Sequence, residues 1–183
     1  MKKITAIALL LVSVYLDCTA QLYFTKNGHI SFFSSTLLED IKADNNQVIS
    51  IINTATGEIQ FSVLNNAFHF KKALMEEHFN EDYIESTRYP KSTFKGTIDN
   101  LKDINLDNDG IYNVTVSGSL NIHGVTKTIS APGKLTIRSG SIRAGSVFKI
   151  KPKDYNIKIP ATVKNNIAET VELTVTCNYE KKN

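Results

Sequence analysis

The feature that most constrains the fold of this chain is a period-two alternation of apolar and polar residues. Between positions 112 and 122, every second residue is apolar or glycine, and the residues between them are Asn, Thr or Ser. Side chains of a β-strand point to opposite faces with this period, so the pattern indicates a strand with one buried face. Similar alternation or strand-like composition occurs at residues 23–25, 28–35, 48–53, 58–64, 94–98, 129–137, 142–150 and 171–179.

Turn sequences separate these segments, as expected of antiparallel hairpins. The run DNDG at 107–110, His123-Gly124 and Ser139-Gly140 each lie between two alternating stretches. Residues 71–85 differ, because they are rich in Ala, Leu, Met and Glu and contain neither Gly nor Pro, which predicts a short helical excursion. About eight antiparallel strands with one helix predict an all-β fold, either a closed barrel or a two-sheet sandwich.

Small residues on the expected inward faces favour a hollow barrel. Glycine and alanine alternate there with bulky residues and leave room inside, and an eight-stranded barrel has an interior large enough for one small ligand. Glycine within a strand also marks a sharp bend, so a packed interior remains the alternative. The small inward residues are Gly96, Gly118, Ala131, Gly133 and Ala144.

The N-terminus resembles a secretory signal. Two lysines follow Met1, and residues 4–16 are uncharged and apolar but too short for a membrane-spanning helix, which needs roughly 20 apolar residues. Small residues at positions 18 and 20 place the expected cleavage after Ala20. This predicts a signal peptide at 1–20, a single domain at 21–183 and a periplasmic or extracellular location. An uncleaved anchor, a buried helix and a lipid-modified Cys18 are the alternatives.

Cysteine content and charge exclude several classes of protein. With Cys18 removed, Cys177 is the only cysteine, so an intramolecular disulfide is impossible and stability must come from an apolar core. The net charge of +3 becomes +2 when Lys2, Lys3 and Asp17 leave with the signal. The basic residues form no run longer than two and no stripe with aromatic residues, so nothing indicates nucleic-acid binding.

Three stretches resemble the YceI-like family over essentially the whole mature chain. They are LMEEHFNEDYIES at 74–86, RYPKSTFKG at 88–96 and GSLNIHGVTK at 118–127, the last being close to the family's G-x-L-x-I-H-G-V-T-K hairpin. GHISF at 28–32 and DYNI at 154–157 also fit the family's layout. Lys153 departs from it, since the family more often has arginine there.

The resemblance implies an exported, lipocalin-like antiparallel β-barrel. It also implies a polyisoprenoid, quinone or similar long-chain amphiphile held inside the barrel, and a possible homodimer. The expected role is that of a carrier or sequestering protein. A solid-cored β domain that acts through its surface, in a structural or stress-related role, is the alternative, and a continuous apolar cavity would distinguish the two.

A ligand tunnel requires apolar walls, because burial of apolar surface contributes roughly 25 cal/mol per Å². The wall residues are taken from the inward faces of the alternating strands, and a shift of one residue in register would invert each choice. An ordinary dry core is the alternative explanation for all of them. The expected ligand-binding residues are Phe94, Ile98, Tyr112, Val114, Val116, Leu120, Ile122, Ile142 and Phe148.

Basic residues around the helical excursion could meet a phosphate head group, although a solvated surface explains them equally. They are Lys71, Lys72, Arg88, Lys91 and Lys95.

We expect neither a metal site, a cofactor nor catalysis. His29, His69, His78 and His123 lack metal-ligand spacing, and we expect His123 to fix its turn through backbone bonds. The calcium-like start at 105–110 has Val116 where a bidentate Glu is needed. No nucleophile motif such as G-x-S-x-G occurs, and Cys177 alternates with polar residues as a buried, unreactive side chain would.

Overall fold

The alternating segments form long antiparallel strands in the computed structural model, which describes residues 21–182. The predicted signal peptide at 1–20 lies outside the described residues. The strands are β1 (Leu22–Ser35), β2 (Asp40–Asn53), β3 (Glu58–Leu64), β4 (His69–Phe70), β5 (Lys91–Ile98), β6 (Gly110–Ile122), β7 (Val125–Arg138), β8 (Ser141–Ile150) and β9 (Val171–Lys181).

The strands close into a barrel. They pair in the order β1-β9-β8-β7-β6-β5-β3-β2, and β2 pairs back on β1 over nearly their full lengths. The two-residue β4 is added to one end of β2. Closure removes most free sheet edges, which are sites of unwanted strand pairing. The predicted lipocalin-like antiparallel barrel of about eight strands is therefore confirmed, and the two-sheet sandwich is excluded.

Strands β1 and β2 are longer than the sequence pattern indicates. β1 is one strand whose pairing with β2 is irregular between Thr25 and Gly28, where the alternation also breaks. β2 begins at Asp40 and not near Val48. The sequence pattern missed its first half because Asn45 interrupts the apolar residues on the buried face. Asn45 is fully buried there, and its Nδ2 donates to the carbonyl of Leu64 at 2.8 Å. This bond satisfies the polar side chain that obscures the apolar–polar alternation of β2.

Two of the small residues assigned to a hollow interior have another purpose. Gly96 of β5 and Gly118 of β6 face each other in register. A side chain at Gly118 would collide with the backbone of Lys95 and Gly96. This glycine pair lets the two strands approach closely and adds no interior space, whereas Ala131, Gly133 and Ala144 do line the interior.

The two ends of the barrel differ. The lower end carries the start of β1, the end of β9, the 139–140 hairpin and the 99–109 loop. Its interior is filled by side chains with almost no exposed surface, and the hydroxyl of Tyr179 bonds to Ser50 Oγ at 2.7 Å while Ser50 donates to the Gln60 carbonyl. The lower end is thus closed. Its buried side chains include Tyr23, Ile52, Ile137, Ile142 and Tyr179.

The upper end carries the long connections. The β1–β2 turn at 36–39, residues 65–90, the 123–124 hairpin and residues 151–170 all lie there. The predicted helical excursion at 71–85 is a six-residue helix, α1 (Ala73–His78), followed by a π-helical turn (Phe79–Tyr83). Short 3₁₀ turns occur at Asn65–Ala67, Pro152–Tyr155 and Ala161–Asn166 at this end, and at Leu101–Asp103 at the other. Within residues 21–182, no helix is long and apolar enough to cross a bilayer.

Strands β7 and β8 pair only in the lower half of the barrel. Their register runs from Arg138–Ser141 to Gly133–Ser146, and above it each strand pairs only with its other neighbour. The chain that leaves β8 turns at Pro152–Tyr155, where Tyr155 is buried in the main apolar core. The 151–170 segment therefore serves as part of the barrel wall and of its cover.

Cys177 should be unreactive in the folded protein. It is fully buried, and burial raises the pKa of its thiol from 9.0 to about 11. A thiol reagent at pH 8 should leave Cys177 unmodified in native protein and label it fully in denaturant, read by mass spectrometry of the peptide. The unfolded thiol ionises near 9 and the native thiol near 11, so this group should also lower stability as pH rises through that interval. Rapid labelling of native protein at pH 8 would contradict the buried placement.

Candidate functional site

The upper half of the barrel contains a cavity of about 400 Å³. Its walls come from the inward residues of the strands, and its cover comes from residues 65–90 and 151–170. The lining is almost wholly apolar. Cavities of this size and character are typical of small-molecule binding sites, which range over roughly 300–1,000 Å³. The buried side chains of the lower end close its floor, so a ligand can enter only from above or through the wall.

Seven of the nine expected ligand-binding residues line this cavity. Their inward orientation follows from the strand period, as the sequence indicated, and whether they contact a ligand stays a prediction. The seven are Phe94, Ile98, Val114, Val116, Leu120, Ile122 and Phe148.

Tyr112 and Ile142 do not line the cavity. Both are inward-facing, but they lie near the lower ends of β6 and β8, below the floor. Ile142 is buried in the core there, and the ring of Tyr112 lies over Gly110. Period-two alternation identifies the face of a strand but not the height along the barrel at which the interior is filled, which explains why these two residues lie outside the cavity lining.

Four aromatic rings that the sequence did not indicate form the roof of the cavity. Phe32 of β1, Phe70 of β4, and Phe68 and Phe79 of the 65–90 excursion all line it. Their ring centroids are 5.2–5.6 Å apart in tilted or edge-to-face pairs, the usual separation for interacting aromatic side chains. Three of them lie outside the alternating segments. A concentration of phenylalanine at 68–79 was the only available signal.

Most polar groups in the lining have protein partners. Asn65 is fully buried, donates to the Tyr89 carbonyl at 2.6 Å and accepts from Ser92 at 2.8 Å. Ser34 is buried and its hydroxyl accepts from the backbone N–H of Ala168 at 2.9 Å. These bonds attach the two covering segments to the barrel. They leave little hydrogen-bonding capacity for a ligand in the depth of the cavity.

Glu39 connects the β1–β2 turn to the two covering segments, 65–90 and 151–170, at the mouth of the cavity. It lies at the end of the β1–β2 turn and lines the cavity. Its carboxylate accepts from Lys72 at 2.8 Å, ahead of α1, and from Asn166 at 3.2 Å in the second covering segment. The hydrogen bonds from Lys72 and then Asn166 lower the pKa of Glu39 below its usual value of 4.5. Glu39 is therefore anionic at neutral pH and connects the turn to both parts of the cover.

The basic residues considered for a phosphate head group are outside the cavity lining. Lys72 is engaged by Glu39, and Arg88 lies over the ring of Tyr89. Lys71, Lys91 and Lys95 are exposed to solvent. The mouth therefore presents a Glu39–Lys72 ion pair, and Lys134 is the one Lys or Arg among the described cavity-lining residues, so this lining has no cluster of cations.

His123 fixes its hairpin, but through distant partners. It has a positive φ of 51°, and its Nε2 is 2.6 Å from a Glu85 carboxylate oxygen while its Nδ1 is 3.1 Å from the carbonyl of Tyr155. The ring also packs on Tyr89 at 4.4 Å. His123 therefore connects the hairpin to both covering segments.

The remaining histidines form pairs with single carboxylates. His29 bonds to Asp44 at 2.9 Å and His78 to Asp82 at 2.8 Å, and His69 is 3.4 Å from Glu76. Across the described residues 21–182, no group of three or more His, Cys, Asp or Glu side chains is placed to hold a metal ion. At the calcium-like stretch, Asn105 caps a turn by accepting from the N–H of Asp107.

Comparison with known families gives one match. The model of the YceI-like domain matches residues 19–179, which is most of the chain. A search of curated protein sequences gives no match.

Solved structures share this fold at low sequence identity. A polyisoprenoid binding domain from Saccharophagus degradans, implicated in plant cell wall breakdown, aligns with a TM-score of 0.77 and 20% identity over 89% of this chain and 99% of that one. BcnA of Burkholderia cenocepacia aligns with a TM-score of 0.70 and 16% identity, over 84% and 96%. The Campylobacter jejuni YCEI protein aligns with a TM-score of 0.54 and 15% identity, over 100% and 94%.

Replacing His123 by Ala should loosen the cover. The change removes both bonds and the contact with Tyr89, so we expect a loss of about 2–4 kcal/mol of stability. The increase in hydrogen-exchange rate, measured by mass spectrometry, should be larger at residues 79–86 and 152–157 than in the lower half of β7. His69→Ala, at an exposed histidine of the same end, is the control and should change neither quantity. Unaltered exchange at both segments in His123→Ala would show that this side chain does not hold the cover.

Proposed function

Because the chain belongs to the YceI-like family, we propose that it binds one long-chain apolar or amphiphilic molecule inside the barrel and acts as a carrier or sequestering protein. The cavity of about 400 Å³ is the observation that carries this proposal. A solid-cored barrel acting only through its surface has no use for such a void, because empty space in a core costs stability. The polyisoprenoid binding of the Saccharophagus degradans domain supports a lipid ligand for this chain as well.

The size of the cavity limits the tail that it can hold. A cavity of about 150 Å³ binds a six-carbon ring, so one of 400 Å³ holds about 15–20 carbon atoms. The closed floor prevents a longer tail from passing through. We expect a ligand with three or four isoprene units, or a similar acyl chain, to be fully enclosed. A tail of about forty carbons would leave at least half of its length outside.

The lining favours an uncharged head group. Glu39 is anionic and lies at the mouth, and the deeper polar side chains already have partners. Glu39 is already paired with Lys72, and a phosphate drawn into the almost wholly apolar lining would lose its hydration, which is unfavourable. An alcohol or a quinone carbonyl would need only one or two hydrogen bonds at the rim. The expected ligand class is therefore a neutral prenyl lipid, and not a prenyl diphosphate.

No catalytic step and no cofactor are needed for this function. The lining offers no activated nucleophile, since the cysteine is buried in the lower core and the serines bond to backbone or amide groups. Export to the periplasm, proposed from residues 1–20, would place the protein where lipids must cross an aqueous space. Homodimer formation stays a prediction.

The ligand can be identified directly. Protein purified from its native cells and measured by native mass spectrometry should carry a co-purifying molecule, which organic extraction then identifies. Prenyl alcohols of increasing length should bind more tightly up to about 15–20 carbons, because each enclosed methylene contributes about 0.8 kcal/mol, and little further beyond that. An apo mass that is unchanged by every prenyl alcohol and quinone would favour the surface-acting alternative.

Ala144→Phe tests the placement of the site. Ala144 lines the lower part of the cavity, so the ring fills space that the tail would occupy and binding of a twenty-carbon alcohol should weaken at least tenfold. Val147→Phe is the matched control, because Val147 is on the same strand but faces outward and is half exposed. Gly118→Phe is unsuitable, since it would separate β5 from β6. Equal affinity in both phenylalanine variants would place the ligand elsewhere.

A further inference from the structure

The β1–β2 turn presents two leucines to solvent at its corners. Leu37 is fully exposed and Leu38 is 68% exposed. The turn is firmly held, because the hydroxyl of Thr36 accepts from the N–H groups of Leu38 and Glu39, and the N–H of Thr36 donates to the carbonyl of Glu39. Tight turns usually have Gly, Pro, Asn, Asp or Ser at these positions. Two leucines there conflict with local preference, which points to a function.

The exposed leucines are concentrated at the mouth. Among the described residues, three of the four most exposed large hydrophobic side chains are Leu37, Leu38 and Leu74, the last being 61% exposed. Leu74 follows Lys72 by two residues, and Lys72 contacts Glu39 at the end of the turn. A single exposed leucine needs no explanation, whereas three beside one opening do.

The shape of this group fits a fluid apolar phase better than a protein surface. A stable protein interface buries about 800 Å² on each partner, and three leucine side chains supply less than half of that. Two side chains at the tip of a hairpin protrude from the surface and form no flat face. Such a tip can insert into the boundary between head groups and acyl chains of a bilayer.

The surrounding charges do not select a strongly charged partner. Lys71 and Lys72 lie beside Leu74, and Glu39 and Asp40 follow Leu38. Because the two signs nearly balance, attraction to an anionic surface should contribute little. Association should therefore come from apolar insertion and should depend weakly on salt.

From these observations we infer that the 36–39 turn and Leu74 form a membrane-docking tip that places the mouth of the cavity against a lipid bilayer. The use of this tip for loading and unloading the ligand rests on the proposed function. Glu39 joins the tip to both covering segments, so insertion of the tip acts on the residues that close the cavity. The ligand then passes between bilayer and barrel without crossing water.

Vesicle binding tests the docking tip. Vesicles of phosphatidylethanolamine and phosphatidylglycerol are mixed with wild type, with Leu37→Ser/Leu38→Ser and with Ile111→Ser, all with the same N-terminus. Ile111 is 65% exposed on β6 at the closed end and is the matched control. The double variant should partition at least tenfold more weakly, because two buried leucines are lost, while the control binds like wild type. Equal binding of all three proteins, or none by wild type, would overturn the inference.

A tryptophan reporter locates the contact. The chain contains no tryptophan, so Leu37→Trp introduces a single indole at the tip and Ile111→Trp introduces one at the opposite end. Vesicles should shift the emission of the first to shorter wavelength, and brominated acyl chains should quench it, whereas the second should respond to neither. Emission changes that follow protein concentration in the absence of vesicles would instead indicate contact with a second copy and would overturn the proposal.

Transfer of ligand separates this inference from the proposed function. Farnesol binding in vesicle-free solution should be the same in wild type and Leu37→Ser/Leu38→Ser, while extraction of farnesol from vesicles should be several-fold slower in the double variant. Failure of the proposed function would appear as the absence of farnesol binding in solution by every protein. Normal solution binding with equal extraction rates would overturn the docking tip alone.

Discussion

Closure of a single antiparallel sheet through β1 is the constraint on which the rest of the structure depends. β1 pairs with β2 on one side and with β9 on the other, so the first and last strands of the chain complete the barrel. Closure decides that one face of every strand points into a shared interior. The apolar stripes of separate hairpins, which are marginal alone, thereby become one core and one cavity.

The interior is divided into a filled part and a hollow part. Tyr179 and Tyr23 occupy the lower end, and the hydroxyl of Tyr179 is satisfied by Ser50, so large aromatic side chains fill the barrel without an unpaired polar group. Above them, Ala131, Gly133 and Ala144 replace bulky residues and leave space. The floor thus arises from a change in side-chain volume along the barrel, and it determines that the cavity is blind and limited in depth.

The upper end is held by a few polar connections over an apolar roof. Glu39 contacts the helix-bearing segment and the 151–170 segment, and His123 contacts both from the other side of the opening. Between these two connections, the side chains of the four-phenylalanine cluster cover the cavity through apolar ring contacts. Apolar contacts can rearrange at small cost while the polar connections keep the cover attached, which is a suitable arrangement for an entrance to a lipid site.

The sequence by itself determined the fold class, the strands β3 and β5–β9, the helical excursion and the inward face of each alternating strand, because those properties depend on local periodicity. It also predicted nine ligand-binding residues, and seven of these line the cavity. Only the tertiary structure decided that Tyr112 and Ile142 lie below a floor, that Gly96 and Gly118 serve strand approach, and that the phenylalanines of residues 68–79 form the roof. These outcomes depend on the height of a residue along the barrel and on contacts between distant segments, and neither is encoded in a repeat of two residues.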